Sequence, residues 1–166
     1  LITVNKMTEF THIDGHNQPT MVDVGDKTAT ERRAHARTIV QLPPEVLEKL
    51  VDGDIQSAKG PVFQTAIIAG TMAVKKTSEL IPFCHPLPIE QCKITIAADE
   101  QQRIVIDCTV RVHHKTGVEM EALTGASVAA LAIYDMCKGL SHDIVIESTQ
   151  LIEKTGGKRD FKHQSR

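Results

Sequence analysis

"CKITIAADEQQRIVIDCTVRV", residues 92–112, decides the fold. Cys92, Ile94 and Ile96 alternate with polar residues in its first half, and Ile104, Ile106, Cys108, Val110 and Val112 do so in its second. A period of two lays each apolar set on one face of a strand. Between them ADEQQ (98–102) is a polar reversal, so the segment predicts an antiparallel hairpin with one greasy face. Such a face must be covered, and the flanking segments supply the cover.

Upstream, VFQTAIIAGTMAVKKTSEL (62–80) carries Phe63, Ile67, Gly70 and Val74 at helical spacing and must stop before Pro82. Downstream, a second helix begins after Thr116 and runs through VEMEALTGASVAALAIYDMCK (118–138) to Gly139, which suits a left-handed cap. DIVIESTQLIEK (143–154) reads as the last strand. The first strand spans 33–42, with Ala34, Ala36, Thr38, Val40 and Leu42 facing one way and Arg33, His35, Arg37 and Gln41 the other. Pro43-Pro44 then opens a short helix, EVLEKLVDG (45–53). The order is βαββαβ with one extra helix, which predicts an α+β, ferredoxin-like sandwich on an antiparallel sheet.

With 166 residues, 41% of them hydrophobic, the chain fills one core, so a single domain over 11–161 is expected. Residues 1–10 read as an N-terminal extension, of which LITVNK (1–6) precedes a more ordinary start at Met7 and is left out of the functional argument. GGKRDFKHQSR (156–166) reads as a mobile tail, with 162–166 its flexible end. The net charge of −2 gives no global field for nucleic acid or anionic membrane, so any anion site must be local. No apolar run approaches the roughly 18 residues of a membrane span, and four cysteines without a CxxC pair or secretory leader point to reduced thiols in the cytoplasm. With 3% aromatic residues and none in the predicted strands, a base-stacking RNA-binding sheet is discounted.

LIPFCHPLP (80–88) sets Cys84 beside His85 between prolines, which hold Ile81, His85 and Leu87 extended and make the segment a strut. An imidazole on such a support suits acid or base work near neutral pH. A zinc site with His113-His114 is set aside, because adjacent ligands seldom reach one ion and the usual short ligand spacings are absent. Cys92, Cys108 and Cys137 are read as small hydrophobes.

Thr116-x-x-Glu119 matches a capping box, and Glu121 gains from the positive end of the helix dipole. Asp135 sits badly at the other end, where the dipole disfavours it, with Lys138 three residues on as its same-face partner. A surface ion pair and a proton-shuttling pair are equally open readings there. Glu121 and Asp135 are fourteen positions apart, about 21 Å along one helix, so a single small-molecule site in one chain can hardly use both. If both act, two copies of the chain build each site. The small residues Gly125, Ala126, Ala129 and Ala130 allow close approach, either of another copy or within the subunit. Lys59, in SAKGP (57–61), lies just ahead of a helix start, where amides and a cation together can hold phosphate.

MVDV (21–24), KGPVFQTA (59–66), LIPFCHPL (80–87), KTGVEMEALTGASVAALAIYDMCK (115–138) and KTGGK (154–158), in this order, resemble the MoaC family of molybdenum cofactor biosynthesis. The resemblance implies a lyase, a cyclic pyranopterin monophosphate synthase, that converts 3′,8-cyclo-7,8-dihydroguanosine 5′-triphosphate to the cyclic pterin monophosphate and pyrophosphate. It implies a ferredoxin-like subunit, a homohexamer built as a trimer of dimers with sites at a subunit interface, and no organic cofactor. Carried over by motif, Asp135, Lys138 and Lys59 are the catalytic groups. Phe83, Cys84 and His85 match one substrate-contacting loop and Met120 and Glu121 a second, with Glu119 beside them. Arg32, Lys154 and Lys158 suit the phosphates. A lysine among other cations and partly desolvated is expected to have a lowered pKa. The rival reading is a regulatory module of the same fold that binds a nucleotide without transforming it.

Overall fold

The computed structural model describes residues 12–164; the whole of the expected N-terminal extension, 1–10, and the last two residues of the expected tail lie outside them. The chain runs β1 (Thr30–Gln41), α1 (Pro44–Leu47), β2 (Leu50–Val51), β3 (Asp54–Ser57), β4 (Gly60–Pro61), α2 (Val62–Lys75), α3 (Thr77–Leu80), β5 (Gln91–Ala98), β6 (Ile104–His114), α4 (Glu119–Cys137), β7 (Val145–Thr155) and β8 (Phe161–Lys162). The main sheet is antiparallel in the order β5-β6-β1-β7-β8, and α2 and α4 lie together over one of its faces. This is the ferredoxin-like α+β sandwich that the βαββαβ pattern predicts. No described helix is long and apolar enough to cross a membrane.

The hairpin at 92–112 forms with Ile94 opposite Cys108 and Ile96 opposite Ile106. Its apolar face is the core: Ile104, Ile106, Cys108, Val110 and Val112 are fully buried, as are Ala36, Thr38 and Val40 of β1. Cys137 is buried and Cys92 half-buried, in keeping with thiols that serve as small hydrophobes. The two long helices meet at glycine. A Cβ on Gly70 would stand 2.7 Å from the Gly125 carbonyl, and one on Gly125 would stand 2.8 Å from Cys108 Sγ. Gly125, Ala126, Ala129 and Ala130 are thus consumed by packing inside the subunit, which decides between the two readings of that stripe.

Four local readings are corrected. The helix after Pro43 lasts one turn, because Asp52-Gly53, a strong hairpin signal, reverses the chain between β2 and β3. The capping box does not form: no side chain caps α4, and Glu119 turns instead to Lys154. Gly139 is not left-handed, since Lys138 ends α4 in a right-handed conformation and Leu140 N closes a tight turn on the Cys137 carbonyl at 2.9 Å. Residues 156–162 are ordered, not part of a loose tail. Gly156 adopts φ +85°, its N–H donates to Asp160 Oδ1 at 3.0 Å, and Phe161 and Lys162 then pair with β7.

Candidate active site

Each end of α4 presents a group of chemically competent side chains. At its N-terminal end a cleft of about 420 Å³ lies between the strut and the first turn of the helix. Cys84 N bonds to the Ile81 carbonyl at 3.1 Å, and Ile81 is extended (φ −112°, ψ 110°), so the prolines do hold a fixed turn. That turn aims Phe83, Cys84 and His85 into the cleft, opposite Glu119, Met120 and Glu121. Glu121 is only 4% exposed, and burial lifts its carboxyl to about 7, with the negative charge of Glu119 adding to the shift. The helix dipole that should favour its charge is outweighed by desolvation. Burial, and then the charge of Glu121, also raises the Cys84 thiol, which keeps its proton and can donate it in a hydrogen bond.

A second cleft, of about 400 Å³, continues from the first and shares Lys27, Thr116, Gly117, Glu119 and Lys158 with it. Six cations, Lys27, Arg32, Lys115, Lys154, Lys158 and Arg159, converge there against the single carboxylate of Glu119. Lys154 Nζ donates to Glu119 Oε1 at 2.8 Å. Arg32 is held in place by donating to the His114 and Lys115 carbonyls, each at 3.3 Å. The Gly156 turn presents Lys154 and Lys158 from its two sides; only glycine fits, since any Cβ there would run into the Glu31 carbonyl. In a chain of net charge −2 this is a local concentration of positive charge.

Sequence reasoning found Arg32, Lys154 and Lys158 but did not single out Lys27, Lys115 and Arg159. A signal was present. Lys-Thr-Gly occurs twice, at 115–117 and 154–156, and the whole first copy and Lys154 of the second line this cleft.

At the far end of α4, Lys138 Nζ bonds Asp135 Oδ1 at 2.7 Å and Lys59 Nζ approaches Oδ2 at 3.4 Å. Asp135 is held below the usual carboxylate range chiefly by the hydrogen bond from Lys138 and its charge, then by Lys59. Lys138 is raised in turn by Asp135, opposite to the lowering expected of a crowded, desolvated lysine, because all three groups face solvent within one subunit. Lys59 sits on the tight β3–β4 turn, which the Ser57 hydroxyl closes on the Gly60 carbonyl at 2.9 Å. The expected phosphate cradle at the start of α2 is already filled. Asp54 accepts from Phe63 N at 2.7 Å and Gln64 N at 3.2 Å, so an internal carboxylate caps the helix.

The structure therefore gathers nine of the twelve expected site residues at one end of α4 and three at the other. Glu121 and Asp135 stand on one unbroken helix, Glu119–Cys137, about 21 Å apart along its axis. Among the described residues no three His, Cys, Asp or Glu side chains are grouped to hold a metal ion.

Residues 21–157 match the MoaC family. The chain belongs to that family. Cyclic pyranopterin monophosphate synthase of Xanthomonas axonopodis pv. citri is 56% identical over 157 residues, covering 95% of each chain, and that of Xanthomonas oryzae pv. oryzae is 55% identical over the same length and coverage. The molybdenum cofactor biosynthesis bifunctional protein of Synechocystis is 59% identical over 155 residues; the match takes in 91% of the present chain and 45% of that longer protein. The MoaC-family match takes in both ends of α4 and both Lys-Thr-Gly segments.

Proposed function

We propose that this MoaC-family chain is a cyclic pyranopterin monophosphate synthase, a lyase that converts 3′,8-cyclo-7,8-dihydroguanosine 5′-triphosphate to the cyclic pterin monophosphate and releases pyrophosphate. The observation that carries it is the joined pair of clefts, one with an apolar wall of Val22, Val24, Phe83, Leu87 and Met120 beside a carboxyl near neutrality and the other lined by six cations. A purine-derived ring bearing a triphosphate has the same two halves.

The cations bind the triphosphate and stabilise the charge that grows on departing pyrophosphate. Glu121, with a carboxyl at about 7, both gives and takes protons at working pH, and His85 and the Cys84 thiol face the same space. Asp135, Lys138 and Lys59 supply the remaining proton transfers from a second copy of the chain. The 21 Å along α4 argues for this arrangement, because the two groups cannot share one small substrate within a subunit. Bringing the partner's cleft over Lys59 and Lys138 removes them from water, which is what lowers a lysine toward catalytic use. A homohexamer arranged as a trimer of dimers, working in the cytoplasm, is the assembly that goes with this reading, and the four unpaired cysteines suit a reducing compartment.

Pyrophosphate release from the cyclic dihydro-GTP substrate is the direct test: a module that only binds nucleotide shows affinity and no product. The shared site is tested by mixing. Asp135→Asn and Glu121→Gln chains, each inactive alone, should regain activity when co-assembled, reaching about a quarter of the sites for random pairing in two-fold dimers. Failure to regain any would refute the shared site, though not the reaction.

A further inference from the structure

Residues 12–27 lie outside every named strand and helix, and their first part lies upstream of the family match at 21–157. They nonetheless form an arm with its own internal order. Thr20 N donates to the His12 carbonyl at 3.0 Å, Ile13 bridges Pro19, and Asp14 Oδ1 accepts from His16 N at 2.8 Å and Gln18 N at 2.9 Å. Farther along, Lys115 Nζ ties the arm down by donating to the Gly25 carbonyl at 2.6 Å. The arm supplies one wall of the apolar cleft, through His12, Val22 and Val24. At its tip the His12 ring stacks on Phe83, with centroids 6.4 Å apart and planes 29° from parallel.

We propose that His12 and Phe83 form the stacking wall that selects a flat heterocyclic ring in the apolar cleft, making them specificity-determining residues for the ring half of the substrate. This deepens the proposed function and rests on it for the identity of the ligand. Phe83 is 38% exposed on the proline-stiffened turn, so part of its ring is open to a ligand in the cleft. The only ring set against it among the described residues is His12, and 6.4 Å is at the long end for an aromatic pair. Loose stacking leaves both faces able to turn toward a third ring. The neighbouring cleft is cationic, so the phosphates have their own place and the ring is left to this one. His12 meets Phe83 through its ring and Thr20 N through its backbone carbonyl, so alanine removes the stacking and keeps the backbone bond.

The experiment compares wild type, His12→Ala, Phe83→Ala, the double variant and the aromatic replacement His12→Phe, all in the full chain. Two probes are titrated calorimetrically, GTP and inorganic tripolyphosphate, and KM and kcat are taken for the cyclic dihydro-GTP substrate. A stacking wall predicts that wild type prefers GTP over tripolyphosphate and that each alanine variant weakens GTP by about 3- to 10-fold. Tripolyphosphate affinity should hold within twofold, KM should rise more than kcat falls, and His12→Phe should restore GTP binding. The double variant should lose less than the two single losses combined. Equal wild-type affinity for the two probes, or equal weakening of both by His12→Ala, overturns the inference. Absence of product from wild type sinks the proposed reaction alone, since the GTP comparison needs no turnover.

Discussion

Glu121→Gln should make this protein more stable, and only toward alkaline pH. The wild-type carboxyl is raised from an ordinary 4.5 to about 7 by burial, with Glu119 adding to it, so the folded protein keeps a proton that the unfolded chain releases. Stability from this group is complete below about pH 4.5, falls as pH rises, and is fully lost above about 7. At about 1.36 kcal/mol per pKa unit, the gap amounts to about 3 kcal/mol of destabilisation at pH 8. Glutamine has the same shape and no charge to bury, so the variant escapes this loss. Urea unfolding of both proteins from pH 5 to pH 8 should show curves that nearly coincide in acid and separate by about 2 to 3 kcal/mol at pH 8, worth roughly 5 to 10 °C in Tm for a chain of this size. Turnover should fall at every pH, since glutamine holds no transferable proton. A stability difference that stays constant from pH 5 to pH 8 would refute the claim that Glu121 is ionised against desolvation.

Gly70→Ala should cost about 2 to 3 kcal/mol in chemical denaturation, because its methyl would stand 2.7 Å from the Gly125 carbonyl, a backbone atom that cannot step aside. Asp54→Ala should lose about 1 to 2 kcal/mol by uncapping α2, visible as a lower urea midpoint at unchanged slope. Asp135→Asn should leave the urea midpoint nearly unchanged, since its ion pairs are exposed, while turnover falls by about 10²-fold or more. Lys115→Ala should weaken tripolyphosphate binding measured by calorimetry and reduce its salt dependence, as one cation and the tether to Gly25 are lost together.

What the linear order of residues determined is what depends on local periodicity and on reach. Alternation at 33–42 and 92–112 and helical spacing at 62–80 and 118–138 already require two helices over one sheet face, since only that arrangement buries both patterns. The length of α4 alone separates Glu121 from Asp135, because helix rise is a constant. The helix after Pro43 and the Gly139 turn are local misreadings; the other wrong or missing readings turn on which distant group arrives to compete. Glu119 leaves its capping box because Lys154, 35 residues away, offers a 2.8 Å charge-assisted bond. Asp54 takes the helix amides that Lys59 was expected to share with phosphate, and desolvation by the core overturns the dipole's preference at Glu121. The six-cation cleft is likewise a product of β1, the loop before it, the β6 end and the Gly156 turn meeting in space. Burial and long-range pairing are properties of the packed chain, and a local pattern carries no measure of either.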